Sequence, residues 1–118
     1  MCGIYGFHKS LDFTQKKSRE LLAEDLKIYS ELNELRGSDA YGIAFKTNKK
    51  NVVYKLNQKP TQIHKRKDFK NFLNKELFDN ANNFFYLGQN RLVTNGSKSL
   101  DQSNQPIRTD NIIGVHNG

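Results

Sequence analysis

Met1-Cys2-Gly3-Ile4-Tyr5-Gly6-Phe7 opens the chain, and the reading of everything downstream depends on it. Ile4 to Phe7 is a short strand starting almost at the terminus, and Gly3 and Gly6 permit close backbone approach, so the strand buries the N-terminus against other structure. Cys2 is the single cysteine and becomes the N-terminal residue once the initiator Met1 is removed. A thiol and a free α-amino group then share one residue. An α-amine with a reference pKa of roughly 7.7 to 8.0 takes up a proton near neutrality, and a free thiol at about 8.5 already has thiolate character there. Nucleophile and base come in one package. Taken alone, a second-position cysteine marks only a small residue that permits methionine removal. Three later segments give it another meaning.

The elements that frame those segments follow from periodicity. From about Lys16 to Leu35, apolar residues at Leu21, Leu22, Leu26, Tyr29, Leu32 and Leu35 repeat every 3.6 residues, with Asp12 or Thr14 as candidate caps, which predicts an amphipathic helix. Gly37 ends it. Tyr41–Thr47 and Asn51–Leu56 read as a hairpin joined at the polar turn Asn48-Lys49-Lys50-Asn51. Beyond Pro60, a second helix is expected from about Arg66 to Phe78, lined by Phe69, Phe72, Leu73 and Leu77. Strands are expected at Phe84–Val93 and Asn111–Val115, with Thr94–Asp110 as a polar loop between them. The order strand, helix, hairpin, helix, strand, loop, strand implies an α+β chain with a largely antiparallel sheet.

In the first chemical segment, Leu35-Arg36-Gly37-Ser38-Asp39-Ala40-Tyr41-Gly42-Ile43-Ala44-Phe45, a helix end carries Arg36 and Asp39 just before an apolar strand. The second, Gly88-Gln89-Asn90-Arg91-Leu92-Val93-Thr94-Asn95-Gly96, sets Arg91 in an otherwise apolar strand. Burying a guanidinium is costly unless an anion pairs with it, so a carboxylate partner is expected, with Asp39 or Asp110 as purely structural possibilities. The third, Gly114-Val115-His116-Asn117-Gly118, ends an apolar strand in an amide side chain and a glycine N–H, two donors that suit an oxyanion hole.

In this order after a terminal Cys2, the segments resemble the class II glutamine amidotransferases, whose glutaminase domain is of the N-terminal nucleophile hydrolase type. Arg-Gly-x-Asp and His-Asn-Gly are most similar to the glucosamine-6-phosphate synthase (aminosugar-forming) branch. The resemblance implies a fold of stacked antiparallel sheets flanked by helices, of which residues 1–118 would be the N-terminal part, incomplete at the C-terminus. It also implies roles: Cys2 as nucleophile with its own amine as base, Asn117 and Gly118 as the oxyanion hole, Arg91 on the glutamine α-carboxylate with Thr94 beside it, and Arg36 supporting the N-terminal Cys2. Glutamine would be the substrate, and ammonia would pass to a sugar-phosphate acceptor on a synthase domain outside this chain. An asparagine-synthetase-like or other acceptor, and an inactive basic module that kept only the fold, stay open as alternatives. Where the aminosugar branch carries His-Thr-Arg-Trp-Ala-Thr-His-Gly, this chain has Gln89-Asn90-Arg91-Leu92-Val93-Thr94-Asn95-Gly96, which keeps the arginine, the threonine and the last glycine.

Composition narrows the classes. With 118 residues the chain suits one domain large enough to bury a core. One cysteine forms no internal disulfide, and three scattered histidines make no metal-ligand cluster, so neither metal nor cofactor is expected. No apolar run reaches bilayer length and no signal peptide is visible, so a cytoplasmic protein with no membrane partner is expected. The net charge of +7 is densest at Lys59, His64, Lys65, Arg66, Lys67, Lys70 and Lys75. Asp68 and Glu76 interrupt that run and no nucleic-acid motif accompanies it, so it reads as a solvated helix face and not as a nucleic-acid site.

Overall fold

A computed structural model describes residues 2–10, 16–47, 50–77, 83–92 and 104–116. Strand β1 spans Gly3–Ser10, helix α1 Lys16–Asn33, β2 Ala40–Thr47, β3 Asn51–Leu56, α2 Pro60–Ile63, α3 Lys67–Phe72, β4 Asn83–Arg91, β5 Ile107–Arg108 and β6 Ile113–Gly114. β1, β4, β2 and β3 form, in that spatial order, a four-stranded antiparallel sheet, and β5 pairs with β6 in a second, two-stranded one. The architecture is α+β with antiparallel sheets and helices.

Side chains alternate across the large sheet, and the helices take one face. Tyr41, Ile43 and Phe45 of β2 and Tyr86 of β4 are buried there with Leu22, Leu26, Ile63, Phe69 and Leu73, while Tyr5, Phe7, Tyr54 and Leu56 pack around them. Much of this layer is aromatic, with Tyr86 against Phe7 at 5.1 Å and Phe45 at 5.6 Å between ring centroids. Such offset pairs add about 0.5–1.5 kcal/mol each to the burial itself.

The expected Lys16–Leu35 helix stops at Asn33, and its buried face differs from the predicted stripe. Leu22, Leu26 and Ser30, spaced i, i+4, i+8, face the sheet, while Leu21, Leu32 and Leu35 are exposed. Two contacts set this rotation. Gly3 lies so close to α1 that a Cβ there would fall 2.8 Å from Asn33 Oδ1, and Tyr29 is held at the helix edge by Phe7, 5.7 Å away. The 3.6-residue count fixes a helix, but the neighbours choose which edge of a wide apolar stripe is covered.

The hairpin forms as expected, Tyr41 opposite Leu56 through Lys46 opposite Asn51, with Thr47 N–H donating to Lys50 O at 2.9 Å; Asn48 and Lys49 lie outside the described residues. The helix expected at Arg66–Phe78 forms over Lys67–Leu77 with a change of winding inside it, Phe78 lying outside the described residues, and a separate short helix precedes it. Pro60 starts α2, the backbone at Arg66 is extended (ψ 134°), α3 restarts at Lys67, and a π-helical turn covers Leu73–Leu77. The strand expected at Phe84–Val93 runs Asn83–Arg91. That expected at Asn111–Val115 shrinks to Ile113–Gly114, paired with Ile107–Arg108 inside the segment expected to be loop. No helix among the described residues is long and apolar enough to cross a membrane.

The second face of the sheet carries Ile4, Gly42, Ala44, Phe85, Leu87, Gln89 and Arg91. Residues 104–106 cover one end of it. Gln105 lies directly on Gly42, and Lys55 Nζ donates to Asn104 O at 3.0 Å and Pro106 O at 3.3 Å. Toward the other end, Phe85 is half exposed with His8 stacked on it at 4.3 Å.

Candidate functional site

Antiparallel pairing of β1 with β4 brings the start of the chain to the end of β4. Gly3 sits opposite Asn90, so Cys2 arrives beside Arg91 and Leu92. The buried Cys2 Sγ accepts from Leu92 N–H at 3.4 Å and donates to Leu92 O at 3.6 Å. Arg36, just past the end of α1, donates from Nε to Cys2 O at 3.4 Å. That approach needs Gly37, where a Cβ would stand 2.5 Å from Asn90 O. β2 closes the other side of β4, with Ala40 opposite Arg91 and Asp39 N–H donating to Arg91 O at 2.9 Å.

Arg91 is buried, 6% exposed, and its Nη1 donates to Asn104 Oδ1 at 2.7 Å. The sequence predicts a carboxylate on this guanidinium; among the described residues one acceptor on it is the carboxamide oxygen of Asn104. A carboxamide oxygen is a full acceptor for an N–H and brings no second charge to desolvate, so it serves a buried arginine well. Asp39 meets Arg91 through the backbone, and Asp110 is exposed. Two residues back on the same strand, Gln89 is fully buried, donates from Nε2 to His116 O at 3.1 Å and leaves Oε1 without a partner. That bond brings the residue preceding Asn117 onto the strand that carries Arg91.

Of the six residues selected from sequence, the fold therefore gathers Cys2, Arg36 and Arg91 at one end of β4. Thr94, Asn117 and Gly118 lie outside the described residues. Sequence reasoning did not select Asn104, Gln89, Asn90 or Lys55. The available signal was the requirement of a buried arginine for an acceptor in a loop rich in Asn, Ser and Gln. Composition could indicate the need, but not which of several amides supplies it.

A polar network supports the site from the helix side. Tyr5 Oη donates to Asn90 Oδ1 at 3.0 Å, and Asn90 Nδ2 donates to Ser30 O at 2.7 Å, which ties β1, β4 and α1 together one residue from Arg91. Ser30 Oγ lies 2.7 Å from His64 Nε2, and the Tyr41 and Tyr86 hydroxyls are 3.2 Å apart. Burial pushes Tyr41 up to about 12 and raises Tyr5 and Tyr86 well above the ordinary phenol value, so all three remain neutral hydroxyls. Burial, and secondarily Lys27, lowers His64 to about 4 from an ordinary 6.5.

A pH dependence of stability follows. His64 is neutral in the fold at pH 6, while the unfolded chain takes up a proton as pH falls below 6.5, so acid favours unfolding. The contribution is complete above pH 6.5 and is lost on descent toward pH 4, at no more than about 1.4 kcal/mol per pH unit. Urea unfolding from pH 7.5 to 4.5 is expected to show a fall in midpoint that His64→Gln reduces; an unchanged slope in the variant would assign the fall to other groups.

A cavity of about 470 Å³ lies elsewhere on this face, between Ala44, Lys46, Phe85, Leu87, Asn111 and Ile113. It contains none of the candidate residues and sits toward the opposite end of β4 from Cys2. The candidate site is defined by the β1–β4 register, which brings these residues together in the fold, and not by the volume of a pocket. Among the described residues, no group of three or more His, Cys, Asp or Glu could hold a metal ion. Compared with protein-family models, with curated proteins and with solved structures, the chain matches none.

Proposed function

We propose that this chain is the glutaminase part of a glutamine amidotransferase, built on an N-terminal nucleophile hydrolase fold, whose ammonia passes to a sugar-phosphate acceptor bound by a further domain. The observation that carries the reading is the meeting of Cys2, Arg36 and Arg91 at the end of the β1–β4 pair, with Cys2 Sγ 3.4 Å from Leu92 N. A sheet covered by helices on one face and only partly covered on the other also suits a stacked-sheet architecture.

In this reading, removal of Met1 frees the α-amine of Cys2, which takes the thiol proton. The thiolate attacks the side-chain carbonyl carbon of glutamine while Arg91 holds the α-carboxylate through charge-assisted hydrogen bonds. Asn117 and Gly118 stabilise the oxyanion. The carbon–nitrogen bond then breaks, ammonia leaves with the proton held by the amine, and water hydrolyses the thioester to glutamate. Losing one oxyanion donor costs on the order of 3 kcal/mol in the barrier, so Asn117→Ala would slow chemistry more than binding.

The test is intact mass after incubation with 6-diazo-5-oxonorleucine, a glutamine-mimicking electrophile. A single adduct on a chain lacking Met1, absent from Cys2→Ala, is the expected result. A processed chain that takes no adduct at saturating reagent would sink the reading for this chain.

A further inference from the structure

Arg91 does not orient itself. Its guanidinium carries five N–H donors in one plane, so fixing one nitrogen fixes the direction of the whole fork. One group that holds it is Asn104, fully buried, whose Oδ1 accepts from Nη1 at 2.7 Å. Asn104 is itself held from the far edge of the sheet. Lys55 on β3 donates to Asn104 O and Pro106 O, and the absence of a side chain at Gly42 lets Gln105 rest on β2 between them. The chain Lys55 to Asn104 to Arg91 thus runs across the sheet and ends beside Cys2.

From this geometry we infer that Asn104 is a positioning residue for substrate, anchored by Lys55, which aims Arg91 at the carboxylate of an α-amino acid while adding no negative charge of its own. The inference rests on the glutaminase reading of Cys2 and Arg91. The neutrality of the amide is its functional content. An aspartate of the same shape would hold the guanidinium at least as firmly, but its charge would compete with the substrate carboxylate at hydrogen-bond range. A merely structural role makes the opposite forecast, since a buried arginine paired with a carboxylate stays satisfied.

The experiment compares wild type, Asn104→Asp, Asn104→Leu and Lys55→Met. Each is titrated with 6-diazo-5-oxonorleucine to separate the half-saturating concentration from the maximal labelling rate at Cys2. Iodoacetamide, which has no carboxylate, reports the reactivity of Cys2 independently, and urea unfolding reports the fold. Asn104→Asp is expected to raise half-saturation about ten-fold or more, with the maximal rate and the iodoacetamide rate changed by less than about three-fold. Asn104→Leu and Lys55→Met should shift half-saturation in the same direction. If Asn104→Leu fails to fold, the isosteric aspartate still decides. Saturable labelling with unchanged half-saturation in Asn104→Asp overturns the inference and leaves the glutaminase reading intact. An iodoacetamide rate that moves in parallel with labelling also overturns it, by showing a general disturbance of Cys2. Wild type that is never labelled at Cys2 defeats the glutaminase reading and takes this inference with it.

Discussion

Arg91→Met is expected to raise the concentration of 6-diazo-5-oxonorleucine needed for half-maximal labelling of Cys2 by between about 30- and 5,000-fold, because truncating one partner of a buried, hydrogen-bonded charge pair costs roughly 2–5 kcal/mol. The size follows from burial. Arg91 is 6% exposed, so a carboxylate meeting it leaves water, and without the guanidinium nothing assigned to the site repays that desolvation. Arg91→Lys should recover only part of the loss, since an ammonium is a point charge without the planar fork. Stability should move less than binding. Methionine removes the donor of the 2.7 Å bond to Asn104, a cost of about 1–3 kcal/mol, but it also removes a buried charge. Labelling kinetics beside urea unfolding make the comparison. A variant that labels with wild-type half-saturation would confine Arg91 to a structural role.

The largest effect on the fold is expected from Gly42→Ala. A Cβ at Gly42 would collide with the backbone oxygen of Gln105, and backbone cannot swing aside as a side chain can. The 104–106 segment would have to lift from β2, breaking the Lys55 bonds to Asn104 O and Pro106 O and pulling Asn104 from Arg91. Overpacking costs about 1–3 kcal/mol and each lost hydrogen bond about 1 more, so a destabilisation of about 3 kcal/mol or greater is expected. That is a large share of the 5–15 kcal/mol typical of a domain. Gly114 is the control, because a Cβ there would meet nothing within 4 Å, and Gly114→Ala should leave the urea midpoint nearly unchanged. Equal behaviour of the two variants would mean that the contact on Gly42 does not hold the segment in solution.

Where the signal was local, the sequence was legible. The β2–β3 hairpin follows from two β-rich runs around a polar turn, and its register agrees with their lengths because antiparallel neighbours joined by a short turn have few ways to pair. The long helix was legible as a helix, but its covered edge was not, since Leu21 and Leu22 satisfy the same 3.6-residue count and only contact with Gly3, Phe7 and the sheet selects Leu22. The second helix was legible in extent but not in winding, because Phe69, Phe72, Leu73 and Leu77 keep helical spacing through a change from α to π winding that side-chain pattern does not register.

The site divides in the same way. Residue chemistry alone marked Cys2, Arg36 and Arg91, because a terminal thiol, an arginine after a helix and an arginine in an apolar strand are each unusual without any knowledge of the fold. Their convergence was decided by tertiary structure. Cys2 and Arg91 are 89 residues apart in the chain, and only the antiparallel β1–β4 register, Gly3 opposite Asn90, brings them together. The same holds for Asn104. The sequence determined that a buried Arg91 requires an acceptor, because desolvating a guanidinium without one is too costly. Which amide answers was fixed by Lys55 and Gly42 holding residues 104–106 across the sheet, since hydrogen bonds depend on position in space and not on separation along the chain.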